Sequence, residues 1–203
     1  MQFTNTLAVA ASLVAAVSGA ALPQPVTSCP GGGTTPGLPA DAKFQLLALG
    51  LPGDVFPIFQ AALGSIFLEL PNQNATCDNT DDDNFATFYL NQTDGGLYLY
   101  GPAAAPQQMF TDRSGMGQGK LGYISGDVHA PRNAEVTGWQ VDQYGVLTLK
   151  GASFLACPHS IEDSWSVSVA TGVDPVGKSG CVGIVVGTLQ IDELDSCSYT
   201  PSP

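Results

Sequence analysis

Basic side chains are scarce in this sequence of 203 residues, where six Lys and Arg stand against 18 Asp and Glu and give a formal net charge of −12 at pH 7. A chain this acidic repels phosphate backbones and anionic membrane surfaces, because its own charge has the same sign as theirs. We therefore expect no nucleic acid among its partners, and no membrane once the signal peptide described below is removed.

The motifs of the common hydrolases are missing as well. The sequence has no G-x-S-x-G nucleophile elbow, and its two histidines, His129 and His159, are the only imidazoles available as a base. Cys157 lies two residues before His159, but Pro158 between them favours a turn, and a secreted cysteine favours a disulfide. A glycosidase needs two carboxylates across a cleft, and no motif marks such a pair here. We predict that the protein is not an enzyme.

Spacings that bind metal ions are also lacking. The sequence contains no C-x-x-C pair, and a zinc site needs four converging ligands. The polar segment 71–84 contains four aspartates, but their spacing departs from the alternating ligand pattern of an EF-hand. A run of like charges is typical of a solvated turn, so we expect no metal and no cofactor. The four residues are Asp78, Asp81, Asp82 and Asp83.

The N-terminus has a secretory pattern. Its first 20 residues carry no charged side chain, run apolar from Leu7 to Val17 and end in small residues at Ala20. This arrangement predicts a signal peptide over residues 1–20. The apolar run is too short for a permanent membrane anchor, so we expect a secreted, extracellular protein.

The rest of the chain divides by composition. Residues 21–42 are rich in Pro, Gly and Thr and have no hydrophobic period, which predicts a flexible leader. Residues 43–203 are long enough to bury a core of their own. We predict that they form a single β domain.

Two N-glycosylation sequons lie in polar stretches, N-A-T at Asn74 and N-Q-T at Asn91. In a protein that enters the secretory pathway this motif accepts a glycan where it lies on an exposed loop. We therefore predict glycosylation at Asn74 and Asn91, on surface loops.

Five cysteines follow the predicted signal peptide, which is an odd number. In an oxidising compartment they form at most two internal disulfides, and the sequence does not select the pairing. Cys29 lies in a Pro/Gly segment that suits neither strand nor helix, so we expect it to be the free thiol, either buried and inert or joined to another chain. The disulfide candidates are Cys77, Cys157, Cys181 and Cys197.

Short segments of alternating apolar and polar residues recur along the predicted domain, separated by Gly, Pro, Asp and Ser. They predict two similar hairpins, within residues 85–100 and 139–151, and a helical turn at residues 59–63. Many short strands without an amphipathic helix predict an all-β fold: a disulfide-stabilised antiparallel sandwich or barrel, with a β-trefoil-like arrangement as the alternative. The other predicted strands are 44–49, 65–70, 108–110, 122–124, 164–170, 183–186 and 189–191.

The stretch TDRSGMGQGKLGYISG, residues 111–126, looks at first like a phosphate-binding loop. A P-loop needs Gly where Ser114 stands and Ser or Thr directly after Lys120, and both are missing. Counted from Gly115, the dinucleotide pattern has Lys120 in place of its third glycine, and no βαβ unit is predicted around the stretch. Its alternate glycines instead predict a tight loop, bulge or bend, with Asp112 and Arg113 forming an ion pair or capping the turn.

The two tryptophans, Trp139 and Trp165, lie within predicted strands. Exposed aromatic rings stack on sugar faces in carbohydrate-binding modules, whereas large aromatics on alternating strands usually pack inward. Core packing is the favoured interpretation, and stacking on a glycan is the alternative for both residues.

Long segments of the chain carry a family resemblance. They are ATFYLNQTDGGLYLYGPAAAPQQMFTDRSGMGQGKLGYISG at 86–126, TGWQVDQYGVLTLKG at 137–151 and FLACPHSIEDSWSV at 154–167, with C-V-G at Cys181 and C-S-Y-T at Cys197. In these segments the chain resembles the PhiA family of fungal cell-wall proteins. The resemblance extends over nearly all of the chain from residue 44 onward.

The resemblance implies a secreted, N-glycosylated protein of the cell wall that is structural and carries no catalytic residues. It further implies a part in wall assembly and in asexual development, when phialides and conidia form. Wall polysaccharide or wall glycoproteins are the implied partners. A secreted carbohydrate-binding module is the alternative function, and a glycoside-active enzyme is a weaker one.

Overall fold

Short strands make up most of the regular structure in a computed structural model of the chain, which describes residues 38–39, 42–53, 55–78, 84–126, 128–172, 175, 177–191 and 195–202. Among these residues no helix is long and apolar enough to cross a membrane. A 3-10 turn covers Ile161–Asp163. The strands are β1 (Lys43–Leu49), β2 (Phe59–Ala62), β3 (Ser65–Leu68), β4 (Thr76–Cys77), β5 (Thr87–Asn91), β6 (Gly96–Leu99), β7 (Gln107–Asp112), β8 (Lys120–Ser125), β9 (Trp139–Val141), β10 (Val146–Leu149), β11 (Phe154–Cys157), β12 (Trp165–Val169), β13 (Val182–Gln190) and β14 (Cys197–Ser198).

All described residues fall in one compact unit, residues 34–203, while a second unit, residues 1–33, lies outside the description. The predicted signal peptide and most of the predicted leader are therefore not described. The same is true of Cys29 and of three of the four aspartates in the polar segment, at positions 81–83.

Nine strands close into an antiparallel barrel. Their order around the wall is β1-β5-β6-β7-β8-β3-β12-β11-β13, and β13 returns to β1 along a register that runs from Phe44 opposite Gln190 to Leu49 opposite Val185. Closure removes the unpaired edges that an open sheet would leave. The predicted all-β fold is confirmed, in its barrel form.

Five strands lie off this ring. β2 forms a hairpin with β3, and β9 and β10 form a hairpin that joins the barrel through β13. β4 and β14 pair with each other in a small second sheet. Both hairpins predicted from the sequence are confirmed, β5–β6 within the barrel wall and β9–β10 beside it.

Apolar side chains fill the interior of the barrel. On β1 the alternate residues Phe44, Leu46 and Ala48 are at most 2% exposed, as the two-residue period of a strand requires. Burial of a large apolar side chain contributes about 1.5–3 kcal/mol relative to exposure, so this core is the main stabilising feature of the fold. Its largest fully buried members include Phe59, Phe88, Phe154, Met109 and Tyr199.

Two disulfides cross-link the domain. Cys77 on β4 pairs with Cys197 on β14, and Cys157 at the end of β11 pairs with Cys181 just before β13. The sequence separations are 120 and 24 residues. In the chain-entropy model, loops of such lengths give roughly 3–5 kcal/mol of stabilisation each, by restricting the unfolded chain.

The C-terminal segment is fastened to the barrel by hydrogen bonds as well as by a disulfide. The amide of Gln107 brackets Tyr199, because its Nε2 donates to the Tyr199 carbonyl at 2.8 Å and its Oε1 accepts the Tyr199 N–H at 2.9 Å. The Thr87 N–H donates to the Tyr199 hydroxyl, and the Tyr123 hydroxyl donates to the Thr200 carbonyl. Burial raises the pKa of Tyr123 to about 12, so its hydroxyl keeps its proton at neutral pH.

The helical turn predicted at residues 59–63 is wrong, because β2 occupies most of this segment and pairs with β3. Leu63 and Gly64 connect the two strands with φ of 50° and 67°, the left-handed conformations that a two-residue hairpin turn favours. The Leu63 N–H donates to Thr200 Oγ1 at 2.8 Å. A leucine at positive φ is uncommon, so the tertiary contact overrides the local preference.

The strands predicted at 183–186 and 189–191 are one continuous strand, β13. Gly187, which suggests a break by composition, pairs with Leu47 of β1, and a Cβ at Gly187 would lie 3.4 Å from the Leu47 Cδ1 atom. A Cβ there would make only ordinary van der Waals contact, so the glycine does not interrupt the strand. No strand is predicted from the sequence at 154–157, where the chain forms β11.

Candidate functional site

A cleft opens in the barrel wall where β3, β8 and β12 meet. β8 pairs with β12 through Lys120 opposite Ser168, and with β3 through Ser65 opposite Gly122, a single residue pair in each case. Since β3 is inserted between the other two strands, the wall forks at this point. The cleft at the fork has a volume of about 240 Å³.

The strand ladder is incomplete beside this cleft. Ile66 on β3, Leu121 on β8 and Val167 on β12 line it, and each has a cross-strand partner on one side only. All three are at most 4% exposed. They form the apolar base of the cleft, between strands that pair at only one residue each.

The glycine-rich loop 113–119 forms one wall of the cleft through Gly117. Gly119 has a φ of +83°, and its carbonyl oxygen accepts the N–H of Val169 at 2.8 Å. A Cβ on Gly119 would overlap the Val169 carbonyl oxygen, and a Cβ on Gly117 would overlap the side chain of Asp112. The prediction that these glycines serve backbone geometry is confirmed at both positions.

Asp112 and Arg113 do not form an ion pair with each other. Asp112 instead caps the turn, which is the alternative prediction, because its Oδ1 accepts the Ser114 N–H at 2.9 Å. Arg113 instead donates two hydrogen bonds of 2.7 Å to Glu135, and the Lys150 Nζ lies 2.7 Å from the same carboxylate. Hydrogen bonds from Arg113 and Lys150 lower the pKa of Glu135 from about 4.5 to about 2.

The charged residues of the cleft are all cationic. Lys120 and Lys178 line it, so the cleft holds two of the six basic residues of the chain. None of the described residues that line it is acidic. Within the described part of the chain, neither lysine forms an ion pair with a carboxylate.

Serine hydroxyls surround the two lysines. Ser65, Ser160, Ser166 and Ser168 all line the cleft. Ser168 is 8% exposed, and its Oγ has no hydrogen-bond partner among the described residues. A buried hydroxyl without a partner costs about 1–3 kcal/mol, so a group from outside the chain that hydrogen-bonds it would be favoured.

The described lining of the cleft contains no histidine and no carboxylate. Its one cysteine, Cys157, has its sulfur bonded to Cys181, and His159 is exposed outside the lining with a φ of 57°. The described residues also contain no group of three or more metal-ligating side chains. What this arrangement can do is bind a ligand through ammonium groups and hydroxyls.

The two tryptophans have different surroundings. Trp139 is 2% exposed and stacks on Phe154, with ring centroids 6.5 Å apart and planes at 14°. This burial leaves no face of its ring for a sugar. Trp165 is partly buried, and its Nε1 donates to the Glu69 carboxylate at 3.1 Å.

Three half-buried tyrosines form an aromatic row that sequence reasoning missed. Tyr89 on β5 lies opposite Tyr98 on β6, and their rings stack with centroids 5.2 Å apart. The Lys43 Nζ lies 5.4 Å from the centroid of Tyr89 and 5.5 Å from that of Tyr100. Because the faces of Tyr89 and Tyr98 are turned to each other, this row is a packed ladder on the barrel wall. Its signal in the sequence is the alternation of tyrosines with core residues in the hairpin.

One sequon asparagine lies on a loop and the other at the end of a strand. Asn74 is exposed in the segment before β4, and Asn91 is the last residue of β5, where the hairpin turn to β6 begins. The Asn74 Nδ2 donates to the Asn72 carbonyl at 3.3 Å, and the Asn91 Nδ2 donates to Asp94 at 3.2 Å. The hydroxyl residue of each sequon is exposed.

Fold and site together define a class of protein, the small disulfide-bonded β-barrel with a cleft in its wall. Disulfides of this kind are typical of secreted proteins, because they persist in oxidising compartments.

The chain belongs to the family of PhiA-like secreted proteins, whose family model matches residues 44–200. It is 44% identical to "Cell wall protein phiA" of Aspergillus fumigatus, over 80% of this chain and 87% of that protein. It is 41% identical to the protein of the same name in Emericella nidulans, over 98% of this chain and all of that protein, and 48% identical to that of Aspergillus niger, over 69% and 75%. No solved structure gives a significant match. The chain is thus a secreted protein of the fungal cell wall.

Proposed function

We propose that this chain is a non-enzymatic structural glycoprotein that contributes to cell-wall assembly during asexual development, when phialides and conidia form. Wall polysaccharide or wall glycoproteins are its proposed partners. The observation that carries the proposal is the family match, which extends over residues 44–200. Relatives named cell wall proteins match most of this chain along most of their own length.

The barrel supports a structural role. Its interior is packed with apolar side chains, and two disulfides cross-link it. A protein held in this way resists unfolding in an extracellular matrix, where no chaperone refolds it. The cleft at the fork of β3, β8 and β12 carries ammonium and hydroxyl groups along its described lining, which suits ligand binding more than catalysis.

The positions of the sequons support glycosylation. Asn74 and Asn91 lie at the surface, and the threonine two residues after each is exposed. An oligosaccharide attached at either position would extend away from the packed core. We expect the intact mass of the secreted protein to fall by one glycan in Asn74→Gln and by one in Asn91→Gln, and an unchanged mass in both variants would remove this part of the proposal.

Deletion of the gene tests the wall role. We expect a null strain to form fewer conidia and to have a weaker wall, and we expect the tagged full-length protein to be retained in the wall fraction of a complemented strain. Normal sporulation and wall strength in the null strain, with all of the protein in the medium, would contradict the proposal. A strain that carries the deletion and an unrelated secreted protein from the same promoter is the matched control.

A further inference from the structure

We propose that the cleft at the fork of β3, β8 and β12 binds an anionic sugar, that is, a hexose unit that carries a phosphate or a carboxylate group. This cleft combines two cations that form no ion pair with a described carboxylate and several hydroxyls in one concave site. The proposal goes beyond the wall role and is tested separately from it, with purified protein.

The charge distribution selects an anion. The chain as a whole carries a net charge of −12, so anions are repelled at long range. Lys120 and Lys178 nevertheless line one cleft with no acidic residue among its described lining. Two ammonium groups in one cavity repel each other, and an anion between them relieves that repulsion through charge-assisted hydrogen bonds.

The other basic residues are placed differently. Arg113 and Lys150 are both held by Glu135, and Lys43 lies against the tyrosine row. Arg132 is exposed and does not line the cleft. The cleft is therefore lined by two cations that form no ion pair with a described carboxylate.

The remaining lining selects a sugar over a simple ion. The four serines offer hydrogen bonds to the hydroxyls of a pyranose ring, above the core residues Ile66, Leu121 and Val167, which are at most 4% exposed. The Oγ of Ser168 has no partner among the described residues and accepts or donates freely. A volume of about 240 Å³ lies below the range of ~300–1,000 Å³ for drug-sized ligands, so one sugar unit fits better than a longer segment.

Calorimetric titration of the purified, secreted full-length protein at low ionic strength tests the proposal. The probes are glucose 6-phosphate, glucuronate, uncharged glucose and inorganic phosphate. We expect one site per chain for the two charged sugars, with affinity that falls as salt is added because the contact is ionic. We expect affinity at least about tenfold lower for glucose and for inorganic phosphate, since each lacks half of the recognised chemistry.

Charge-matched variants locate the site. Lys120→Gln and Lys178→Gln should each lower the affinity for glucose 6-phosphate about tenfold, which is the usual effect of one charge-assisted hydrogen bond. Arg132→Gln makes the same change in net charge outside the cleft, and its affinity should stay within about twofold of the parent. Near-ultraviolet circular dichroism checks that each variant keeps its fold.

Three results would overturn the proposal. Equal losses in Arg132→Gln and the lysine variants would indicate a response to net charge and not a site. Binding of glucose as tight as that of glucose 6-phosphate would show that the cleft does not recognise the anionic group. Equal binding of inorganic phosphate would show that it does not recognise the sugar. Absence of binding by all four probes would reject the site itself, whatever the phenotype of the null strain.

Discussion

Two pairs of cations in this chain have opposite surroundings. Arg113 and Lys150 converge on the carboxylate of Glu135, in what we call the Glu135 clamp, and hydrogen bonds from both neutralise it. Lys120 and Lys178 line the cleft and form no ion pair among the described residues, although Asp112 lies opposite Lys120 in the β7–β8 register. Arg113 and Lys120 belong to the same glycine-rich stretch, so their difference comes from what the fold brings opposite each of them.

The comparison separates structural from functional use of charge. The clamp links Glu135 to Arg113 of loop 113–119 and to Lys150, which follows the β9–β10 hairpin. The backbones of Thr111 and Glu135 also exchange hydrogen bonds. The two lysines of the cleft form no ion pair within the described part of the chain. Substitutions in the clamp should therefore change stability, and substitutions in the cleft should change binding.

The largest effect should come from the loop that joins the two regions. Gly119→Ala places a methyl group on the Val169 carbonyl oxygen at a φ of +83°, and we expect it to lower the free energy of unfolding by at least about 3 kcal/mol. Gly115→Ala is the matched control, because a Cβ there meets no atom within 4 Å. Urea unfolding measures both. Equal stabilities of the two variants would show that the glycines do not set this backbone.

The clamp should give the next largest effect. Glu135→Gln removes the charge that Arg113 and Lys150 share, and we expect a loss of about 1–2 kcal/mol in the free energy of unfolding, since the pair is only partly buried and water screens it. Affinity for glucose 6-phosphate should stay unchanged. A loss of affinity without a loss of stability would reverse the roles assigned to the two regions.

The clamp should also respond to pH. The folded-state pKa of Glu135 is lowered from about 4.5 to about 2, so its stabilisation is fully present above about pH 4.5 and is lost as the pH falls through 2. The difference in unfolding free energy between the parent and Glu135→Gln should accordingly be largest near pH 6 and shrink toward pH 2. Urea unfolding at pH 6, 4 and 2.5 measures it. A difference independent of pH would mean that the ionised carboxylate is not what the clamp stabilises.

The smallest effect on stability should come from the cleft. Lys120→Gln and Lys178→Gln break no ion pair among the described residues, so their free energies of unfolding should lie within about 0.5 kcal/mol of the parent. The same urea experiment measures this. A loss as large as that in Glu135→Gln would show that these lysines are structural.

The sequence predicts the strands better than it predicts the barrel. Alternation identifies the β5–β6 and β9–β10 hairpins, because turn residues and period are local properties. Their places differ, one in the ring and one beside it, because long-range pairing with β1 and β13 decides that. The turn at Leu63 and Gly64 escapes prediction for the same reason, since Thr200, far along the chain, holds it.

The candidate site is predicted in part. The spacing of the glycine-rich stretch excludes a P-loop and indicates a bend, and the loop does pack closely at Gly117 and Gly119. Its function as one wall of a cleft depends on β3 and β12, which are distant in sequence. Lys178 comes from a third segment, so no local motif could join it to Lys120.

Amide chemical-shift mapping on the ¹⁵N-labelled full-length protein tests the division between the two regions most directly. On titration with glucose 6-phosphate, we predict that the largest shifts occur at Gly117, Lys120 and Ser168, which line the cleft, and that Glu135 and Lys150 of the clamp do not shift. Shifts centred on the clamp, or spread evenly over the barrel surface, would contradict a binding site at the fork of β3, β8 and β12.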